Sequence, residues 1–367
     1  MKETLIPAVE NKELTKKLNN NISILIKEFT KIALADFSSV KNIIKITLKQ
    51  KNSEKKRNYY EEQNIHVPPF LIASITKSCN LKCKGCYDQQ KPTASGIELT
   101  ANDWSNIFVQ ARDLGISFIL LAGGEPLLKK QLLKDCINYP EIIFPMFTNG
   151  LLINDEWVNY FALSRNIVPI VSIEGDKTLT NNRRGKGVYE VVIANLDLLK
   201  KKRIFYGISL TLTTENYIKV LSEEYIQQFI NKGCRVFMYI EYIPFDPTTE
   251  NLVINESQRI NLNNRLNYLR EKFNAIFIAF PGDEADFGGC LAAGRGFMHL
   301  NAMGDVEACP FAPYSDINLK NVSLKEALNS RMLANIRDTH ALLEEHNGGC
   351  SLFENKELIE RILFKSR

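Results

Sequence analysis

No stretch of this 367-residue chain approaches 18 uninterrupted apolar residues, so no segment reads as a membrane-spanning helix. A surplus of one charge is also lacking. Forty-six basic residues against 42 acidic leave +4, too little on a chain of this size to argue for a nucleic-acid partner. The densest basic run, KQKNSEKKR at 49–57, contains no aromatic and reads as a solvated helix end or loop. No fixed period or low-complexity tract is present, which excludes repeat and fibrous architectures. The opening MKETLIPAVENKELTKK places charges where a signal peptide needs an apolar core, which sets the expectation of a cytoplasmic protein. With 45% hydrophobic residues the chain can bury a substantial core.

What the chain does have is eight cysteines, three of them in CNLKCKGCY at 79–87. Disulfides are not expected in a reducing compartment, and clustering points instead to metal or catalysis. Cys79, Cys83 and Cys86 are spaced C-x3-C-x2-C. A closed zinc site wants four ligands, commonly from two C-x2-C pairs, and no second pair follows. An iron–sulfur cube accepts three thiolates from one compact loop and then keeps its fourth iron open to another ligand.

From residue 71 onward apolar runs alternate with helical segments, the pattern of successive βαβ units on a parallel sheet. Strands are expected at 71–76, 118–124, 141–148, 166–174, 205–213 and 235–243, with helices near 101–114, 127–138, 154–165, 188–202 and 217–232. The fold class is therefore α/β, a partial (β/α)6 barrel. It spans 66–274, preceded by a helical segment at 1–65 and followed by a small α+β appendage at 275–367. Ile22, Leu25, Ile26, Phe29 and Ile32 recur at helix spacing and predict a helix that packs over the barrel. In such barrels chemistry sits on loops leaving the C-terminal strand ends. Here those loops carry the cysteines, GGEP at 123–126, TNG at 148–150 and SIEG at 172–175.

The C-x3-C-x2-C loop directly after the first strand resembles that of the radical S-adenosylmethionine superfamily. The resemblance implies a [4Fe–4S] cluster on Cys79, Cys83 and Cys86 whose open iron is chelated by S-adenosylmethionine. GGEP, comprising Gly123, Gly124, Glu125 and Pro126, is similar to the family motif that contacts the cofactor's amino group. Ser172 and Glu174 in SIEG, with Arg184 in the following NNRRGKG, match the family's next cofactor contacts, and Arg183 is a close rival to Arg184. Asn149 and Ser209 fall at further strand ends and complete the expected cofactor-binding set. Two positions depart from the family pattern: Gly85 stands where an aromatic often precedes the third cysteine, and Thr180–Asn181 where His-Asp often precedes the arginine.

In the appendage, Cys290, Gly304 and Cys309 form C-x13-G-x4-C, and Cys350 follows after 40 residues. Gly304 predicts a hairpin that brings the two thiols together. This resembles the Twitch and SPASM auxiliary-cluster domains, the shorter Twitch form fitting better because no cysteine lies between 309 and 350. The resemblance implies a second [4Fe–4S] cluster, with Asp283, Asp286, His346 or a substrate group as candidates for its fourth ligand. Cys136 and Cys234 are expected in the core, Glu241 is the candidate catalytic residue with Tyr242 beside it, and Arg295 and His299 are further candidates to face substrate.

What the family implies is reductive cleavage of S-adenosylmethionine to a 5′-deoxyadenosyl radical, fed by an external one-electron donor such as flavodoxin or ferredoxin. That radical abstracts hydrogen from a substrate, foremost a peptide or protein side chain. The alternatives are oxidation or rearrangement of a small metabolite and, without catalysis, an iron–sulfur electron carrier or zinc-binding scaffold.

Overall fold

The computed structural model describes residues 8–36, 40–91, 96–287, 289–338 and 350–366. Two helices, α1 (Ala8–Asp36) and α2 (Val40–Glu62), precede a nine-stranded sheet. The strands are β1 (Phe70–Ser74), β2 (Phe118–Ala122), β3 (Phe144–Thr148), β4 (Ile167–Ser172), β5 (Gly207–Leu212), β6 (Val236–Glu241), β7 (Ile276–Phe280), β8 (Phe297–Leu300) and β9 (Val306–Glu307). Their spatial order is β7-β6-β5-β4-β3-β2-β1-β8-β9, parallel throughout except for the final β8–β9 hairpin. The first six are the expected barrel strands, each shorter than its apolar run. They are followed by helices that bury the outer face, as parallel sheets require.

The sheet runs on past residue 274. β7 pairs with β6, and β8 pairs with β1 at the opposite edge, so the segment expected as an appendage supplies strands to both edges of the barrel sheet. Gly304, with φ +94°, turns the β8–β9 hairpin. Its left-handed backbone is the reason a glycine stands there.

Local chemistry explains the helices that match and those that differ. The helix Ala101–Leu114, here α3, starts at a reciprocal Thr100–Asp103 capping box and stops at Gly115 in the left-handed region. The helix expected at 127–138 is instead a 3-10 turn at Pro126–Leu128, an α-helix at Lys130–Asp135 and a second 3-10 turn at Cys136–Asn138, broken where Lys129 leaves helical backbone. The one expected at 217–232 divides into Tyr217–Val220 and Glu223–Asn231, because Ser222 accepts from the Tyr225 amide and caps a new start. Cys136 and Cys234 are both fully buried in the core.

Helix α1 packs Leu25, Phe29 and Ile32 against lumen-facing residues of β4, β6 and β7, among them Ile170, Val236, Met238 and Ile276. The Phe29 ring meets Phe205 edge-on, with centroids 4.8 Å apart. Helix α2 is fastened by a buried guanidinium. Arg57 donates to Asn19 Oδ1 on α1 at 2.6 and 3.0 Å, to the Gly115 carbonyl and to Ser117 Oγ at 2.7 Å. Burial pulls the Arg57 pKa down to about 10, and the cation is kept in this buried site with an acceptor at each of its three nitrogens. Replacing Arg57 by Met strands those acceptors and is expected to cost about 2–4 kcal/mol, read as a lowered urea midpoint at unchanged slope.

Candidate functional site

The cysteine loop leaves β1 and crosses the C-terminal rim of the barrel. Its path is set by backbone contact with the turn after β2. The Gly124 amide donates to the Thr76 carbonyl at 2.7 Å and the Glu125 amide to the Ser78 carbonyl at 2.8 Å. No side chain fits between these strands: a Cβ on Gly123 would stand 2.4 Å from the Thr76 oxygen, and one on Gly124 2.1 Å from that of Ser78. The paired glycines of GGEP are thus required by close backbone approach.

Cys79, Cys83 and Cys86 line a cavity of about 1160 Å³ inside the barrel mouth. Gly123, Gly124, Asn149, Ser172, Arg183, Arg184, Ser209, Glu241 and Tyr242 line the same cavity. Donors converge on one sulfur: Cys79 Sγ accepts from the Leu81 amide at 3.5 Å and from Asn149 Nδ2 at 3.9 Å. Burial pushes the Cys79 and Cys83 thiols up, while the Arg184 and Arg183 guanidinium groups draw Cys83 back down. A ligand that stabilises thiolate is what such desolvated sulfurs call for, and iron supplies it.

Among the described residues no three His, Cys, Asp or Glu side chains converge on one point as ligands of a single ion do. A cube presents its irons at separate corners, so thiolates arranged around it need not converge. Free thiols on one cavity wall, with N–H donors toward sulfur and two arginines at hand, fit such a cluster.

Two buried carboxylates hold the rim together. Glu125 accepts from the Leu127 amide at 3.0 Å, Thr148 Oγ1 at 2.7 Å and the Asn149 amide at 2.8 Å, tying the GGEP turn to TNG. Burial nonetheless pushes its carboxyl up. Glu174 accepts from Arg183 Nη1 and Arg184 Nε, each at 2.8 Å, and from the Thr211 amide at 3.2 Å. Glu125, Pro126 and Glu174 therefore stand behind the cavity wall rather than in it.

Arg183 does more than its sequence position signals. Its carbonyl accepts from the Lys84 amide at 2.8 Å, while its guanidinium donates to the Lys84 and Gly85 carbonyls at 3.3 and 3.4 Å, clamping the loop between Cys83 and Cys86. The same guanidinium lies 5.9 Å from the centre of the Tyr242 ring. That ring occupies the space beside Gly85, where a Cβ would come within 2.5 Å of Tyr242 Oη. The aromatic missing from the loop is thus replaced in space by one from the end of β6.

Glu241 also lines the cavity, paired with Arg259 Nε at 2.8 Å; burial raises its carboxyl despite that cation. Ser172 and Ser209, paired in register on β4 and β5, share a 3.0 Å hydrogen bond between hydroxyls.

The second cysteine trio assembles although its members are far apart in sequence. Cys309 and Cys350 lie close enough to act on one another side chain to side chain, and the charge of Cys290 acts on Cys309 and that of Cys350 on Cys290. All three are buried. Burial pushes Cys290 and Cys309 well up, whereas the neighbouring Cys309 side chain holds Cys350 below the usual thiol range. Asp283 is committed elsewhere, to Arg270 Nη2 at 2.8 and 2.9 Å and the Ala279 amide at 2.9 Å. The Asp286 side chain and His346 lie outside the described residues. Arg295 donates to the Cys290 carbonyl, bracing the trio, and His299 is fully buried; neither lines the cavity.

The contact at Gly124 gives a test of the loop. Gly124→Ala is expected to reduce iron retained per chain after anaerobic reconstitution by at least about half of what the first trio holds, with the melting temperature within a few degrees, because the clash falls on the loop and not the core.

Comparisons with known proteins agree with this geometry. The family profile of the radical SAM superfamily matches residues 73–232. AdoMet-dependent heme synthase of Methanosarcina barkeri is 23% identical over 318 residues, 79% of this chain and 90% of that protein. Sporulation killing factor maturation protein SkfB of Bacillus subtilis is 27% identical over 177 residues, 47% of this chain and 42% of that protein. Streptococcus suis SuiB, solved bound to its precursor peptide SuiA, superposes with a TM-score of 0.62 at 21% identity, covering 82% of this chain and 73% of SuiB, which shows a shared fold. The matched profile begins in β1 and takes in the cysteine loop, GGEP and the arginine pair, so residues 73–232 of this chain are similar to the radical SAM superfamily.

Proposed function

We propose that this chain is an enzyme that uses S-adenosylmethionine to abstract hydrogen from a peptide or protein side chain, and that a second iron–sulfur cluster sits on Cys290, Cys309 and Cys350. The observation that carries the first part is the shared cavity wall: three free thiols, the GGEP glycines and Arg184 face one space. When bound, the reduced cluster and S-adenosylmethionine together supply a hydrogen-abstracting adenosyl radical.

The chain's own residues bind and orient. Cys79, Cys83 and Cys86 would hold the cluster. Gly123 and Gly124 let the cofactor's amino group reach backbone carbonyls. Ser172, Ser209, Asn149 and Arg184 offer donors toward its carboxylate and ribose. Glu125 and Glu174 act from behind, by aligning those groups. Glu241, half of a buried pair with Arg259, is an acid or base that lines the cavity. Its raised pKa suits a proton-transfer role.

The peptide reading is supported by the relationship to SkfB, a maturation protein, and by the fold shared with SuiB. A small-metabolite reading is supported by the heme synthase, whose match runs over most of both chains. The reading calls for an external one-electron donor such as flavodoxin or ferredoxin. The functional division falls at 65 and 274, with the cluster-binding part at 275–367 sharing its sheet with the barrel.

Anaerobic reduction with S-adenosylmethionine is expected to release 5′-deoxyadenosine, and its absence would refute the enzyme reading. With a peptide encoded beside this reading frame, deuterium from a labelled side chain should appear in that product. Transfer from a small metabolite instead would favour the second reading. Reconstituted protein should carry about eight irons per chain, falling to about four in the Cys290→Ala, Cys309→Ala variant. About four in the unaltered protein would rule out the second cluster.

A further inference from the structure

Behind the cavity wall, a chain of buried polar side chains runs from one cysteine trio to the other. Tyr87, which follows Cys86, lies close to Ser74 on β1. Ser74 Oγ stands 2.8 Å from His299 Nε2 on β8, and His299 Nδ1 stands 2.7 Å from Glu307 Oε2 on β9. The other Glu307 oxygen accepts from Asn301 Nδ2 at 2.8 Å. Glu307 lies two residues before Cys309. The circuit closes through rings: Tyr87 meets Phe311, two residues after Cys309, edge-on with centroids 5.3 Å apart.

The roles in this chain are fixed by chemistry. A carboxylate only accepts, so His299 Nδ1 carries the hydrogen and Nε2 accepts from Ser74. Burial drives His299 down, toward that neutral form; burial alone would raise the Glu307 carboxyl, but His299, Lys91 and Asn301 hold it below the usual range. Serine, histidine and glutamate in this order suggest a nucleophile with its base. Ser74 is only 1% exposed, His299 0% and Glu307 3%, and none lines the cavity, so no substrate reaches the hydroxyl. What remains is a mechanical role. The Ser74–His299 bond crosses the β1–β8 ladder and the His299–Glu307 bond crosses the β8–β9 hairpin, and each terminus abuts a cysteine loop.

We infer that His299 is a positioning residue: the Tyr87–Ser74–His299–Glu307 bridge couples the two trios, so that occupancy of the first is felt at the second. This rests on the proposed second cluster. A buried chain with every member satisfied has few alternative arrangements, and breaking one link leaves its neighbours unpaired in low dielectric. Cluster potentials respond to burial and hydrogen bonding around the sulfurs, so displacement of one loop by ligand should appear at the other centre.

The test is an EPR-monitored redox titration of the reconstituted full-length enzyme with and without S-adenosylmethionine. In the unaltered protein, S-adenosylmethionine is expected to shift the redox equilibrium of the second centre threefold or more, about 28 mV for one electron. His299→Leu and Ser74→Ala should abolish that shift while each centre keeps its iron; His299→Gln, which can still donate to Glu307 and accept from Ser74, should retain it. Ser74→Ala carries the test if His299→Leu does not fold. A full shift in Ser74→Ala, or no shift in unaltered protein holding eight irons, would overturn the coupling. Four irons in the unaltered protein would overturn the two-cluster reading itself, and the coupling with it.

Discussion

The site depends on one close approach. The backbone of the cysteine loop lies against the GGEP turn so tightly that neither Gly123 nor Gly124 has room for a Cβ, and the amide bonds across this contact set where the loop can go. From that contact the three thiols are carried to the cavity wall, and the turn itself forms the adjacent wall. The barrel below supplies rigidity: strands buried on both faces hold the rim loops at fixed spacing.

Buried charge does the rest of the alignment. Glu125 and Glu174 lose hydration and recover it only through protein donors, so their bonds specify geometry as much as they stabilise it. Glu125 joins the loops after β2 and β3. Glu174 joins the arginine pair to β5, and Arg183 passes that constraint on to the cysteine loop. Arg183 and Arg184, adjacent in sequence, thus divide two tasks: one clamps the loop backbone, the other places charge beside Cys83.

What the sequence disclosed was local. The C-x3-C-x2-C spacing, the glycine pair after a strand and the helical period of α1 are each encoded within a few neighbouring residues, and the fold places them as that spacing implies. What escaped was set by distant partners. Nothing in SIEG indicates that the Glu174 carboxylate turns away from the cavity, because its direction is decided by arginines nine and ten residues on. Gly85 reads as a lost aromatic until β6 brings Tyr242 into its space. His299 reads as a candidate to face substrate until β8 docks on β1 and seats it against Ser74, 225 residues earlier. β7, a five-residue run beyond the expected barrel, looked no different from the short strands after it.

The central claim is that three thiolates on this rim leave one iron for S-adenosylmethionine. It is tested most directly by the EPR spectrum of the reduced cluster in the Cys290→Ala, Cys309→Ala protein, recorded before and after adding S-adenosylmethionine. Coordination at an open iron predicts changed g-values with S-adenosylmethionine and none with adenosine; a spectrum identical in all three conditions would contradict the account.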